Sequence, residues 1–117
     1  MKEFHLCGLG NAIVDIFVEV SDEEFAGLGF ERGTMRLVEA DEQKRLLEGF
    51  KEREASLVSG GSVANSVIAL SQLGGRAAFI GCVGDDRYGL FYESEFQELG
   101  IAFWPPPLVG QTTGTCI

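Results

Sequence analysis

Three short stretches of this 117-residue chain carry residue types suited to holding a small polar ligand. The first is Gly10-Asn11-Ala12-Ile13-Val14-Asp15, in which Asp15 is a lone carboxylate inside an apolar run. An unpaired carboxylate is costly to bury, so it must face water or accept hydrogen bonds. Outward alternation on a strand is one reading. The other is a carboxylate whose two oxygens, acceptors only when ionised, receive two adjacent hydroxyls. The second stretch is Gly60-Gly61-Ser62-Val63-Ala64-Asn65. A glycine pair between a strand and a helix lets the backbone approach a ligand closely, while first-turn N–H groups point outward. Asn65 lies one turn in, and its amide both donates and accepts, which suits a neutral polyol better than a bare anion. An ordinary tight turn with Asn65 exposed is the alternative. The sharper reading puts Asp15 and Asn65 on one shared cavity. The third stretch runs from Gly81 through Val83-Gly84-Asp85-Asp86 to Gly89, where Asp85 or Asp86 is placed to open a helix as its cap.

Other chemistries fall away. Gly8-x-Gly10 follows a strand, but the dinucleotide fingerprint needs a third glycine where Ile13 stands, and a helix where a strand follows. No phosphate-binding G-x-x-x-x-G-K-[ST] stretch occurs. His5 has no partner that would make it catalytic. Cys7, Cys82 and Cys116 are odd in number, far apart and without metal-ligand spacing, and they read as reduced, strand-borne core residues of a cytoplasmic protein. A net charge of −9 argues against nucleic acid and anionic membranes as partners. No apolar run reaches the roughly 20 residues of a membrane span, and the start lacks the pattern of a secretory leader.

The elements that must position these residues follow from periodicity. Phe4–Leu9 is a short apolar segment. Ile13–Val20 interleaves apolar and acidic residues, as a half-exposed strand does. Ser21-Asp22-Glu23-Glu24 can open a short helix, and Gly27, Gly29 and Gly33 punctuate a loop before a brief strand over Met35–Val38. Asp41 is a plausible cap for a helix through about Phe50, with Leu46, Leu47 and Phe50 inward. Leu57-Val58-Ser59 is extended, Ser62–Leu73 a buried helix stopped by Gly74-Gly75, and Ala77–Val83 an apolar strand. A third helix carries Tyr88, Tyr92, Phe96 and Leu99 on one face and ends at Gly100. Strand, helix, strand, helix in this order predicts a parallel sheet covered on both faces. Ile13–Val38 reads as an excursion that leaves the sheet and returns. Thr112–Ile117 reads as a strand just begun, so the sequence looks cut short.

Taken together, Gly10-Asn11-Ala12-Ile13-Val14-Asp15, Gly60-Gly61-Ser62-Val63-Ala64-Asn65 and Gly81-Cys82-Val83-Gly84-Asp85-Asp86-Arg87-Tyr88-Gly89 resemble, in order and spacing, the N-terminal part of the ribokinase-like (PfkB) carbohydrate and nucleoside kinases. Gly10-Asn11 with Asp15, and Thr113-Gly114-Thr115-Cys116, are closest to the adenosine kinase branch. The resemblance implies a three-layer α/β/α sandwich, incomplete here, over residues 1–117, with a small β lid from segments about 13–20 and 34–38. It implies a kinase that phosphorylates a primary hydroxyl of a sugar or nucleoside with ATP and Mg²⁺, and with a monovalent cation as a further candidate. By the same resemblance Asp15 binds sugar hydroxyls, Gly60, Gly61 and Asn65 complete the pocket, Asn11 holds part of the substrate, and Met35 and Leu37 line it from the lid. Where Met35 stands, adenosine kinases tend to carry a polar residue, which bears on adenosine as the substrate. Gly84–Gly89 is then a structural turn into a helix. The family's catalytic aspartate, anion hole and nucleotide pocket have no counterpart here, so no residue of this chain is assigned as catalytic. The alternative is a non-catalytic module that binds or dimerises through its lid strands.

Overall fold

Short apolar runs bounded by glycine become strands only where a partner backbone is at hand, and here they find two sheets. The computed structural model describes residues 2–117. Its elements run β1 (Leu6–Leu9), β2 (Ile13–Val18), α1 (Asp22–Gly27), α2 (Ala40–Gly49), β3 (Ala55–Gly60), α3 (Ser62–Gln72), β4 (Ala77–Ile80), α4 (Arg87–Glu98), β5 (Ala102–Trp104) and β6 (Gly114–Cys116). The chain divides into two compact units, Met1–Ile16 with Leu57–Ile117, and Phe17–Ser56.

In the first unit, β1, β4 and β5 form a parallel sheet in that order, with Gly8 beside Phe79 and Phe79 beside Phe103. Residues side by side in a parallel register share a face. A Cβ on Gly8 would lie 2.7 Å from both Val63 and Val67 of α3, so the missing side chain is what lets this helix sit close. On the same face Phe79 meets Phe96 at 5.3 Å and Tyr92 at 6.2 Å between ring centroids, both from α4. Tyr92 and Phe96 stack on each other at 4.6 Å, and Phe103 closes the cluster. Phe79, Tyr92 and Phe96 are completely buried and, with Val67 and Ala64 of α3, make the core.

Of the cover expected on both faces, the helices of this chain supply one side: α3 and α4 pack against the same face. The other presents Cys7, Leu9, Ile80 and Trp104, all exposed, with Leu9 at 74% and Trp104 at 64%. The reading of the cysteines as core residues fails with it. Cys7 lies on this open face, Cys82 follows β4 in a loop, Cys116 lies in β6, and all three are exposed. Apolar neighbours in sequence do not bury a residue whose face of the sheet has no covering layer.

The second sheet has the order β3-β2-β6, with β6 parallel to β2 and Asp15 beside Cys116. Thus β3 pairs beside β2 instead of joining the β1-β4-β5 sheet that the strand–helix alternation suggested. On β2 the core positions are the even ones, Val14 and Ile16, whereas Ile13 and Phe17 share Asp15's face. Three prolines, Pro105-Pro106-Pro107, follow β5, and without N–H donors they cannot extend the ladder.

The second unit holds α1 and α2. Ser21 caps α1 through a reciprocal box: its hydroxyl accepts from the Glu24 N–H, and the Glu24 carboxylate accepts from the Ser21 N–H. Helix α2 starts two residues earlier than predicted, with Glu39 at the cap and Asp41 inside the first turn. The strand predicted over Met35–Val38 does not form. No regular structure is assigned from Thr34 to Glu39, and Met35 and Leu37 are 90% and 93% exposed. Their neighbours bond locally instead: the Thr34 hydroxyl donates to the Glu31 carbonyl, and Arg36 pairs with Glu42 at 2.9 Å. Alternation alone supplies no strand partner.

Candidate functional site

The strongest local constraint around the predicted site is the turn between β3 and α3. Gly61, the N-cap of α3, has φ 106°, a left-handed conformation that L side chains rarely adopt. A Cβ there would sit 2.3 Å from the Asn11 carbonyl oxygen. At Gly60 a Cβ would sit 2.5 Å from Asp15 Oδ2. Both glycines are thus required by close approach: one lets the backbone lie on Asn11, the other lets it lie on the Asp15 carboxylate. Asn11, Asp15, Gly60 and Gly61 are brought together as the sequence suggested.

Asp15 is half-buried in β2, and its carboxylate accepts no hydrogen bond from the described residues. Beside it, α3 begins without a side-chain cap, leaving first-turn N–H groups free to donate outward. Asn65 follows one turn along α3, where its N–H donates to the Gly61 carbonyl at 2.9 Å and its side chain is exposed. A charged acceptor beside the uncapped start of a helix is an arrangement that matches the mixed donor and acceptor edges of a polyhydroxyl ligand. Neither of two surface hollows of this chain is lined by Asp15 or Asn65. Those are lined by Val20, Asp22, Phe25 and Arg32, and by Phe17, Val18, Glu19, Glu54 and Ser56, all in the second unit. Met35 and Leu37 belong to that second unit as well.

Two groups behind the turn escaped the sequence reading. The Tyr92 hydroxyl, fully buried, donates to the Gly60 carbonyl at 2.9 Å. Burial, then the charges of Glu95 and Asp15, hold its ionisation far above the usual phenol range. The Ser59 hydroxyl donates to the Glu95 carboxylate. The overlooked signal was the polar tip of Tyr92 on a helix face otherwise assigned to the core, since a buried phenol needs a partner.

The third stretch builds a staple. Asp86 caps α4, accepting from the Gly89 N–H at 2.8 Å, from the Thr113 N–H at 2.9 Å and from the Thr113 hydroxyl at 2.6 Å. The Gly84 N–H in turn donates to the Thr113 hydroxyl at 3.0 Å. Partial burial pushes the Asp86 pKa up, but the bonds from Thr113, Gly89 and Tyr88 outweigh it and hold the carboxyl below its ordinary value. Thr113 adjoins β6, so the staple fixes the strand that lies beside Asp15. Asp86, of the two aspartates offered, is the cap. His5 is structural: its Nδ1 accepts from the Arg76 N–H at 3.1 Å.

Fold and turn together define an α/β protein with a glycine-built strand–helix junction beside a half-buried carboxylate. Residues 33–117 match the family described as pfkB family carbohydrate kinase, and the chain belongs to that family. It is similar to a fructokinase of Vibrio alginolyticus, 42% identical over 52 residues that make up 43% of this chain and 17% of the relative. Among solved structures it is similar to an adenosine kinase from Sinorhizobium meliloti, with TM-score 0.74 and 34% identity, covering 93% of this chain and 33% of that one. It is also similar to the Anopheles gambiae adenosine kinase in complex with P1,P4-di(adenosine-5) tetraphosphate, with TM-score 0.80 and 28% identity over 99% of this chain and 35% of that one. The ribokinase-like α/β fold is thereby established, and the chain spans about a third of the length of these kinases.

Proposed function

We propose that this chain is the N-terminal, acceptor-binding part of an ATP-dependent sugar or nucleoside kinase that phosphorylates a primary hydroxyl. The observation that carries the reading is the half-buried Asp15 carboxylate, without a hydrogen-bond donor among the described residues, set against the Gly60-Gly61 turn at the uncapped start of α3. Asp15 accepts from two neighbouring hydroxyls, Asn65 and the α3 N–H groups satisfy others, and Asn11 and the glycine pair shape the wall. Fixing the acceptor in this way supplies orientation, which is much of what catalysis of phosphoryl transfer requires.

ATP is the phosphoryl donor in this reading, in keeping with membership of a kinase family. Among the described residues no three His, Cys, Asp or Glu side chains converge to hold a metal ion. Mg²⁺, held largely by the nucleotide's phosphates, and a monovalent cation belong to the same proposal, at sites apart from the acceptor-binding residues of this chain. No catalytic base is assigned to this chain. A cytoplasmic location belongs to the same proposal and is supported by three unpaired thiols. Among the described residues no helix is long and apolar enough to cross a membrane.

Calorimetric titration with D-fructose and with adenosine tests the site. Asp15→Asn should weaken binding of the preferred acceptor by about 10- to 100-fold, the range expected when hydrogen bonds to a charged group are lost. Equal affinity of Asp15→Asn and the unsubstituted chain removes Asp15 from the site.

A further inference from the structure

We propose that Tyr92 is a positioning residue for the acceptor site, holding the Gly60–Gly61 turn against Asp15 from behind. The inference rests on the acceptor-site reading above and adds to it a helix, α4, that contributes no ligand-facing group. Tyr92 is completely buried between Phe79 and Phe96, a slot that phenylalanine would fill as well. What tyrosine adds is one hydroxyl, and that hydroxyl donates to the Gly60 carbonyl at 2.9 Å. Asp15 Oδ2 lies 2.5 Å from where a Cβ on Gly60 would sit, so a shift of the turn moves the surface beside the carboxylate.

A second tether lies one turn along the same helix face, where Glu95 accepts from the Ser59 hydroxyl. The last two residues of β3 are therefore both fastened to α4. The turn that follows cannot relax independently of the aromatic core, and the spacing between Asp15 and the α3 N–H groups is set by the depth of α4. Here a buried hydrogen bond acts on site geometry rather than on the ligand.

Tyr92→Phe isolates the effect because it keeps the ring and removes the hydroxyl. Three measurements on the full chain decide it: amide resonances, thermal unfolding, and calorimetry with D-fructose and adenosine. The expected result is displaced resonances at Gly60, Gly61 and Ser62, and about two- to tenfold weaker acceptor binding, in line with one lost buried hydrogen bond. Asp15→Asn should weaken binding while leaving the Tyr92 hydroxyl bonded to the Gly60 carbonyl. Ser59→Ala, which cuts the second tether and leaves the core intact, should move the same resonances in the event that Tyr92→Phe does not fold. Unmoved turn resonances in Tyr92→Phe, or in Ser59→Ala should the first variant not fold, overturn the positioning role. So does unchanged affinity alongside moved resonances. Failure of the underlying reading looks different: the unsubstituted chain binds neither probe, or Asp15→Asn binds as it does, and the positioning role falls with it.

Discussion

Gly61 shows how much of the site is decided by one missing methyl group. Its left-handed φ of 106° and the 2.3 Å approach a Cβ would make to the Asn11 carbonyl act together. Gly61→Ala should cost about 1–3 kcal/mol from the backbone conformation alone, and more from the clash with a backbone atom that cannot swing aside. Urea denaturation of the two proteins measures this. Gly74 provides the comparison: it too has positive φ, but nothing lies within 4 Å of its Cβ position. At this scale the sequence was informative, because a glycine pair at a strand–helix junction and a lone carboxylate in an apolar strand are local signals. Tyr92 was not legible as a site residue. Its periodicity states only that it faces inward, whereas its partner, Gly60, is 32 positions away.

Among the elements, α4 carries the most consequences. Asp86 caps it and at the same time receives both the hydroxyl and the N–H of Thr113, so the helix start and the approach to β6 are one structure. Because its folded pKa lies below the ordinary 3.8, the staple stabilises the fold fully above that value. The contribution is lost as pH falls through the lower, folded pKa, where the native carboxylate is at last protonated. Acid unfolding followed by circular dichroism should show this loss, and Asp86→Asn should shrink the acid-dependent component. At neutral pH, Asp86→Ala should cost about 1–2 kcal/mol, as N-cap removals do. Most helix termini were readable in advance because caps are local: Ser21, Asp86, Gly74 and Gly100 mark real ends, whereas Asp41, expected to cap α2, lies inside its first turn. Strand partnership was not. The three-residue β5 went unpredicted and the Met35–Val38 strand was predicted without forming, since pairing depends on a backbone distant in sequence.

For the molecule as a whole, the asymmetry of the β1-β4-β5 sheet dominates. Helices cover one face, and Leu9, Ile80 and Trp104 stand in water on the other. An apolar sheet face left open favours association. Leu9→Lys should lower the light scattering of concentrated solutions and the binding of an apolar dye. Its effect on unfolding free energy should stay within about 0.5 kcal/mol, as for surface substitutions generally. Equal scattering by the two proteins would show that this face does not drive association. Fold class was legible from the order of strands and helices, but which face of the sheet the helices cover was not. Whether a second layer exists is a property of the assembled sheet and not of any segment's pattern.

The open face also carries the chain's single indole, Trp104. Ultraviolet emission from this protein therefore comes from one ring in a known place, already bathed in solvent. Anything that lays an apolar surface on the sheet, whether a second copy or further polypeptide, dries that ring and moves its light toward the blue. The fold has in effect installed its own gauge of whether the sheet is covered.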